Sequence, residues 1–465
     1  MTSAPVSAQA DKTRPAWLEF ESPYGAPWHE VIEHADWIQA YTDAPPFEQA
    51  SRLGFFALRR PFARVPRVLS RGARPALDSA LFRLMDAGPE QLLTELARVS
   101  SEEATAALVR LAPGRREGGD AKEYASPAAL SDAEAVGLLS ALLSPAADPL
   151  RARLLLAASR ATRRRFGRKR QLYAPIYLSN ACTNRCNYCG FRHDNDIERT
   201  TLDAEQVRAE AGVLLGRGFD SVLLLTGEAP RVASLDYLEA MTREVARDFS
   251  HVGIEVFPLE REGYARLREA GVDSVTVYQE TYDPLTYRRV HEAGRKRDML
   301  HRLMTPERVL EAGIERLGLG FLLGLAPWRF EALALGLHAR ALLQLFPNAK
   351  LSVSFPRLRA AVGATPPEFE VDDAALVHVM SVLRLWLPEA ELVLSTREPA
   401  GLRDALTPLL VTRLSAGSST EPGGYSRSSA RGSAPPALAQ FSLSDERPVE
   451  QVRARLVRRG LVPCG

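Results

Sequence analysis

The chain is poor in cysteine: its 465 residues contain four, at 182, 186, 189 and 464. Four is too few for a disulfide framework when three of them crowd into eight positions. Clustered thiols imply a reducing compartment, so a cytoplasmic protein is expected. Charge of either sign in excess is also missing. The 59 basic and 57 acidic residues leave a net +2, which gives no bulk field to recruit nucleic acid or a membrane surface. No apolar run approaches the roughly 18 residues of a spanning helix, and the first dozen residues lack the apolar core of a signal peptide. Core-forming residues are plentiful. A chain 46% hydrophobic and 25% charged has the balance of a soluble globular protein. Its length allows two or three domains, or one large barrel with an appendage.

The cysteines that are present are informative. Cys182, Cys186 and Cys189 are spaced C-x3-C-x2-C, so three thiolates on one tight loop can face a common centre, as a cubane iron–sulfur cluster requires. Three ligands for four irons leave one iron open, which points to chemistry rather than to a structural staple. The competing reading is a Cys3His zinc site completed by His193. A chain that can bury a core of this size needs no such staple.

Residues 1–16 are small, polar and proline-bearing and are expected to be disordered. Residues 17–128 form an extension of unassigned role, with helical periodicity over 75–112 and a proline- and glycine-bearing linker from Pro113 to Pro127. Ser131 and Glu134 form a capping box opening a helix through Leu143, and a second helix runs from about Asp148 to Phe166; together they make a lead-in over 129–172. That helix ends in seven basic residues, Arg160, Arg163, Arg164, Arg165, Arg168, Lys169 and Arg170. Without interleaved aromatics, they read as a solvated C-terminus complementing the helix dipole.

From 173 the pattern becomes regular. Short apolar segments alternate with helix-length ones, as in parallel-sheet proteins. The strands expected are 174–179, 221–225, 254–258, 274–278, 316–321, 351–355, 392–395 and 409–414. Helices fill several gaps, for example 203–217, 235–248, 305–312, 329–345 and 373–385. Eight strands within 173–417 give the count and size of an α/β fold of the (β/α)8, TIM-barrel type. The cysteine loop follows the first strand and so belongs to the rim where βα-loops gather. Residues 418–465 supply a glycine-rich stretch, either a lid or a plain connector, and an amphipathic helix over 445–460. Cys464 is expected to be a solvent-facing thiol.

Several ordered motifs carry a resemblance: Tyr177-Leu-Ser-Asn180 and Cys189-Gly-Phe191 around the cysteines, Leu225-Thr-Gly-Glu228, Val277-Tyr-Gln-Glu-Thr-Tyr282, Leu317-Gly-Leu-Gly320, Ser352 to Arg359, Ser415 to Ser418, Pro422 to Tyr425 and Phe441 to Pro448. Over about residues 130–460 the chain resembles the radical S-adenosylmethionine (SAM) enzymes that cleave aromatic amino acids, in particular the tyrosine lyases of thiamine thiazole synthesis.

The resemblance implies a radical SAM barrel. It implies a [4Fe-4S] cluster on Cys182, Cys186 and Cys189, and SAM held by its amino and carboxylate groups at the open iron. L-tyrosine would be split at Cα–Cβ into 2-iminoacetate and 4-methylphenol, with reduced flavodoxin or ferredoxin as electron donor and a thiazole synthase partner receiving the imine. No nucleic acid or membrane partner is implied. A sister enzyme that matures [FeFe]-hydrogenase carries a second, C-terminal cluster, for which Cys464 alone supplies too few thiolates. A tryptophan lyase differs only in pocket residues and stays open.

Within that frame, Thr226, Gly227 and Glu228 are candidates for the ammonium of SAM, Gln279 and Glu280 for its ribose, and Arg302 for its carboxylate. Tyr188 stands near the adenine or excludes water, and Gly318 and Gly320 can admit the adenine to the backbone. A guanidinium suits a bidentate clamp on an amino-acid carboxylate, so Arg357 and Arg359 are the substrate candidates, sharing a face if the chain stays extended. Tyr177 is expected near the substrate amine.

Overall fold

The computed structural model describes residues 79–112, 127–428 and 439–465. The expected disordered segment 1–16, the extension up to residue 78, the linker 113–126 and most of the Ser/Arg/Ala/Pro stretch ending at Pro436 lie outside the described residues.

Eleven strands are described: β1 (Lys169–Ser179), β2 (Arg185–Cys186), β3 (Ser221–Thr226), β4 (His251–Glu255), β5 (Ser274–Glu280), β6 (His291–Ala293), β7 (Arg316–Phe321), β8 (Lys350–Ser354), β9 (Glu391–Leu394), β10 (Arg413–Ser415) and β11 (Val462–Cys464). Eight of them form a ring in the order β1-β3-β4-β5-β7-β8-β9-β10, and β10 pairs back onto β1. Every pairing in the ring is parallel. The eight-stranded barrel expected from the sequence is therefore present. β11 adds a parallel strand outside the ring, against Lys169–Gln171.

Strand alternation sorts the apolar side chains into two layers. Leu172, Ala174, Ile176 and Leu178 of β1, with Val222 and Leu224 of β3, join the main core between strands and helices. Tyr173, Tyr177, Leu223, Leu225 and Val393 make a separate cluster inside the ring. The strands read as unbroken apolar runs because both faces are covered.

Four N-terminal helices are described: α1 (Ser79–Leu96), interrupted at Gly88 (φ +74°), α2 (Ser101–Leu111), α3 (Asp132–Leu143) and α4 (Arg151–Phe166). α3 opens on the expected capping box of Ser131 and Glu134. These helices rest on the barrel helices Trp328–Leu345 and Asp373–Trp386. Arg340 of the first reaches Asp132 at 3.1 Å. His378 of the second lies 2.7 Å from the carbonyl of Leu142. At Gly336, a Cβ would stand 2.9 Å from a methyl of Leu139, so any larger residue would make that side chain move.

Two expectations need correction. The basic run is not wholly a solvated helix end: Arg170 lies in β1, 1% exposed, and its Nε donates to the carbonyl of Thr407 at 2.9 Å. It ties the first strand to the turn before the last. The eighth strand is also shorter than expected. Leu409–Val411 complete a turn after the helix Ala400–Leu406, and pairing begins at Arg413.

Candidate active site

The cysteine loop follows β1 at the C-terminal rim of the barrel. Cys186 is buried, Cys182 and Cys189 half-buried, and the last two pack against the inner cluster of Tyr173, Tyr177, Phe191, Leu223, Leu225 and Val393. Cys186 sits on β2, which pairs antiparallel with β6, a small ribbon absent from the sequence reading. Its anchor is Asn184, whose Nδ2 donates to Glu228 Oε2 at 2.7 Å and whose Oδ1 accepts from the backbone N–H of Lys296 at 3.0 Å. Gly294 (φ +92°) lies so close that a Cβ there would collide with Asn184.

The donor set fits a cubane better than a single ion. Among the described residues, no group of three or more His, Cys, Asp and Glu side chains is placed to hold one metal ion, and His193 is exposed. The Cys3His zinc reading is not supported. A cubane instead takes one thiolate at each of three separate irons. Burial pushes the Cys186 thiol up to about 12 and raises Cys189, helped by the neighbouring thiols. Bound iron supplies the positive charge that reverses this.

Below the loop opens a cavity of about 1030 Å³, its mouth included. Tyr188, Cys189, Glu280, Lys296, Gln440 and Phe441 stand at its loop end, and Tyr173, Leu223, Leu225, Glu255, Tyr278 and Val393 line its strand end. Gln440 links the two: it accepts from the Tyr177 hydroxyl at 2.9 Å and lies 3.8 Å from Cys189 Sγ. The Tyr177 hydroxyl is thus engaged by protein rather than aimed free at a substrate amine.

The residues chosen for SAM divide. Gly227 passes directly under the cysteine loop, where a Cβ would collide with the carbonyl of Ala181. Thr226 Oγ1 is buried without a hydrogen-bond partner, an open position at a strand end beside the cysteines, as a bound ligand requires. Glu228 spends one oxygen on Asn184. At the end of β5, Tyr278 and Glu280 are two residues apart and share the inner face, so both line the cavity, while Gln279 between them does not; a bulge there shifts the pairing with β7. Glu280 is the sole non-glycine residue with positive φ (+69°) among those described. Such strain gathers at functional sites. Its carboxylate takes Lys296 Nζ at 2.7 Å, with Arg302 at 3.9 Å.

Arg302 is buried on the short helix Met299–Leu303, its Nε donating to the carbonyl of Tyr278 at 2.7 Å. The Tyr188 hydroxyl meets His291 Nε2 at 2.7 Å, and Lys296 Nζ sits 5.6 Å from the centre of its ring. The expectation for Gly320 is corrected. The space over it is filled by the ring of Tyr278, and Gly318 is likewise covered by Thr276, so neither admits an adenine.

The two arginines also separate. β8 ends at Ser354, and past it both Arg357 and Arg359 meet the same oxygen of Glu398, but only Arg359 lines the cavity. Arg357 is taken by Glu398, by Asp373 at 2.9 Å and by the carbonyl of Val371 at 3.0 Å, and does not line the cavity. Arg359 does line it. It reaches Glu398 at 3.1 Å and keeps a buried Nε without a partner. A third guanidinium was missed in the sequence. Arg397 follows β9, lines the cavity and stacks 3.3 Å from the centre of the Phe441 ring, with no ion pair among the described residues. Its position two residues past the expected strand 392–395 was the available signal. Lys296 gave none.

The comparisons agree with this geometry. The model of the radical SAM superfamily matches residues 176–333, and that of the biotin and thiamin synthesis associated domain matches 354–462. The 2-iminoacetate synthase of Escherichia coli K12 is 42% identical over 326 residues, 70% of this chain and 85% of that protein. The chain belongs to the 2-iminoacetate synthase family of radical SAM enzymes. The Salmonella typhimurium member is 41% identical over the same shares. Among solved structures, the FeFe-hydrogenase maturase HydG of Carboxydothermus hydrogenoformans superposes with a TM-score of 0.70 at 30% identity, covering 83% of this chain and 84% of that one. Radical SAM enzymes of this family use a [4Fe-4S] cluster and SAM, and the cysteine triplet and open strand ends of this chain match that need. No helix among the described residues is long and apolar enough to cross a membrane.

Proposed function

We propose that the chain cleaves the Cα–Cβ bond of L-tyrosine, releasing 2-iminoacetate and 4-methylphenol for thiamine thiazole synthesis. Cys182, Cys186 and Cys189 hold the cluster, and with SAM bound it supplies a radical able to take a hydrogen atom from the substrate. The observation that carries the reading is the pair Arg359 and Arg397 lining the cavity, one with a free Nε and one without an ion pair among the described residues. Planar guanidinium groups of this kind clamp a carboxylate in two places. Leu223, Leu225 and Val393 then offer an apolar slot between the strands for an aromatic ring.

Thr226, Glu280, Lys296 and Arg302 surround the position expected for the amino-acid end and ribose of SAM. Lys296 holds the Glu280 carboxylate in place. Tyr177, Gln440 and Phe441 close the roof and exclude water. A flavodoxin- or ferredoxin-type donor supplies the electron, and a thiazole synthase takes the imine before it hydrolyses. Anaerobic incubation of the reconstituted protein with L-tyrosine, SAM and dithionite, followed by chromatography, tests the reading. 4-Methylphenol is expected; an indole-derived product from tryptophan in its place would reassign the substrate.

A further inference from the structure

The strand end of the cavity holds one group that the reading above does not use. Glu255 closes β4, in register with Leu225 of β3, which is itself in register with Tyr177 of β1. All three line the cavity, with Leu223, Val393 and the rings of Tyr173 and Tyr278 around them. An acid set among leucines, a valine and three tyrosines has no role in packing.

Glu255 also has no partner. Among the described residues its carboxylate makes no hydrogen bond and no ion pair. The charged groups that bear on it, Glu280, Arg397, Lys296 and Arg302, act only at longer range. Burial, with the like charge of Glu280, raises its pKa to about 7. The Glu255 side chain is part-buried and faces the cavity, so the group that satisfies its carboxylate enters through the cavity, as water or as a ligand with a donor.

We propose that the Glu255 carboxylate accepts the hydrogen bond of the substrate's phenolic hydroxyl and so selects tyrosine by the far end of its ring. The inference rests on the tyrosine reading above. Arg359, Arg397 and Gln440 stand on loops beyond the strands, whereas Leu223, Leu225 and Glu255 belong to the strands themselves. An amino acid clamped by its carboxylate at the loops therefore lays its ring among the strand residues. Glu255 is level with Leu225, one inward-facing position nearer the loops than Leu223, so a ring lying between these leucines passes beside the carboxylate. The slot walls are apolar, so they accept any ring of the right width. The acceptor in its wall is what distinguishes a ring bearing a donor from one without.

A site built to satisfy a hydroxyl rejects an analogue lacking it far more strongly than an apolar pocket rejects a missing methylene. The test is equilibrium binding of L-tyrosine, L-phenylalanine and O-methyl-L-tyrosine to the reconstituted full chain with SAM present, for the wild type, Glu255→Leu and Glu255→Gln. Wild type is expected to favour tyrosine over phenylalanine by about 100-fold or more. Glu255→Leu should bring the two within about 10-fold of each other, with iron content unchanged. Well above pH 7, where wild-type Glu255 is ionised and cannot donate, Glu255→Gln, whose amide can donate, should gain binding of the O-methyl ether, which wild type refuses. An unchanged tyrosine-to-phenylalanine ratio in folded Glu255→Leu overturns the inference. So does failure of Glu255→Gln to accept the ether, which decides the matter even where the leucine variant does not fold. Wild type that binds no tyrosine and yields no 4-methylphenol instead removes the tyrosine reading itself.

Discussion

Lys296 Nζ meets the Glu280 carboxylate at 2.7 Å on a backbone held at φ +69°. The pair places one positive and one negative group beside the cysteine loop, and neither is far from the aromatic face of Tyr188. Removing one partner leaves the other charge buried, which costs about 3 kcal/mol or more. Lys296→Met is therefore expected to lower SAM binding by about 100-fold, and Lys296→Arg to restore part of it. Calorimetric titration of SAM into the cluster-loaded variants gives the answer. Equal binding by Lys296→Met and wild type would show that the pair serves only the fold.

The three guanidinium groups should behave differently. Arg397→Lys and Arg359→Lys keep the charge but lose the planar fork, so each is expected to raise KM for tyrosine about 10-fold or more with the melting temperature nearly unchanged. Arg357→Ala leaves Glu398, whose side chain is 1% exposed, with Arg359 as its one cation among the described residues, and should lose about 1–3 kcal/mol of stability. Urea melts and initial rates together separate the two patterns.

Each of Cys182→Ala, Cys186→Ala and Cys189→Ala should abolish the visible absorption of the reconstituted cluster, together with turnover. Cys464→Ala should change neither. Iron and sulfide assays on the four variants decide it, and a cluster surviving loss of any of the three would assign the ligands elsewhere.

Gly227→Ala forces a methyl into the carbonyl of Ala181. Overpacking of this kind costs about 1–3 kcal/mol. Because the collision is with the cysteine loop, iron retention should fall before the barrel unfolds. Following iron release and circular dichroism on the same thermal ramp would reveal the order.

Glu331 is fully buried, accepting from the Thr281 hydroxyl and from the N–H of Tyr282 at 2.9 Å, and burial raises its pKa to about 8. The folded protein thus keeps a proton that the unfolded chain gives up near 4.5. The stability this contributes is full below about pH 4.5 and is lost as pH rises toward 8. Glu331→Gln should flatten that slope in a series of melts between pH 5 and 9. An identical slope in the variant would place the titration on another group.

Where the sequence was legible, the reason is local. The strands show as apolar runs because helices cover the ring outside and side chains fill it inside. The cysteines show because a cluster requires fixed spacing. Sequence does not say which of Arg357 and Arg359 faces the cavity, because both converge on Glu398 and only Arg359 lines it. Gln279, expected at the ribose, lies between two cavity-facing neighbours and faces the other way by strand alternation, with its amide nitrogen buried and unpaired. Gly320 looked like room for a ligand until Tyr278, from the neighbouring strand, was seen to fill it. Lys296 and Gln440 reach the site through folding alone, from a short ribbon and from the C-terminal segment, and no sequence pattern joins them to Cys189. Glu255 was within reach of inference, as an acid at the end of a short apolar strand.

The roof over the cysteines is made late. Gln440 lies 251 residues beyond Cys189, and β10, which closes the ring against β1, is the last of the eight strands. At about 5–20 residues per second, roughly 13–50 s of synthesis separate the cysteine loop from its roof. During that interval β1 keeps an open edge and the three thiols face an unfinished cavity. Order of translation thus leaves a window for delivering iron and sulfide, and that window shuts when the C-terminal segment docks.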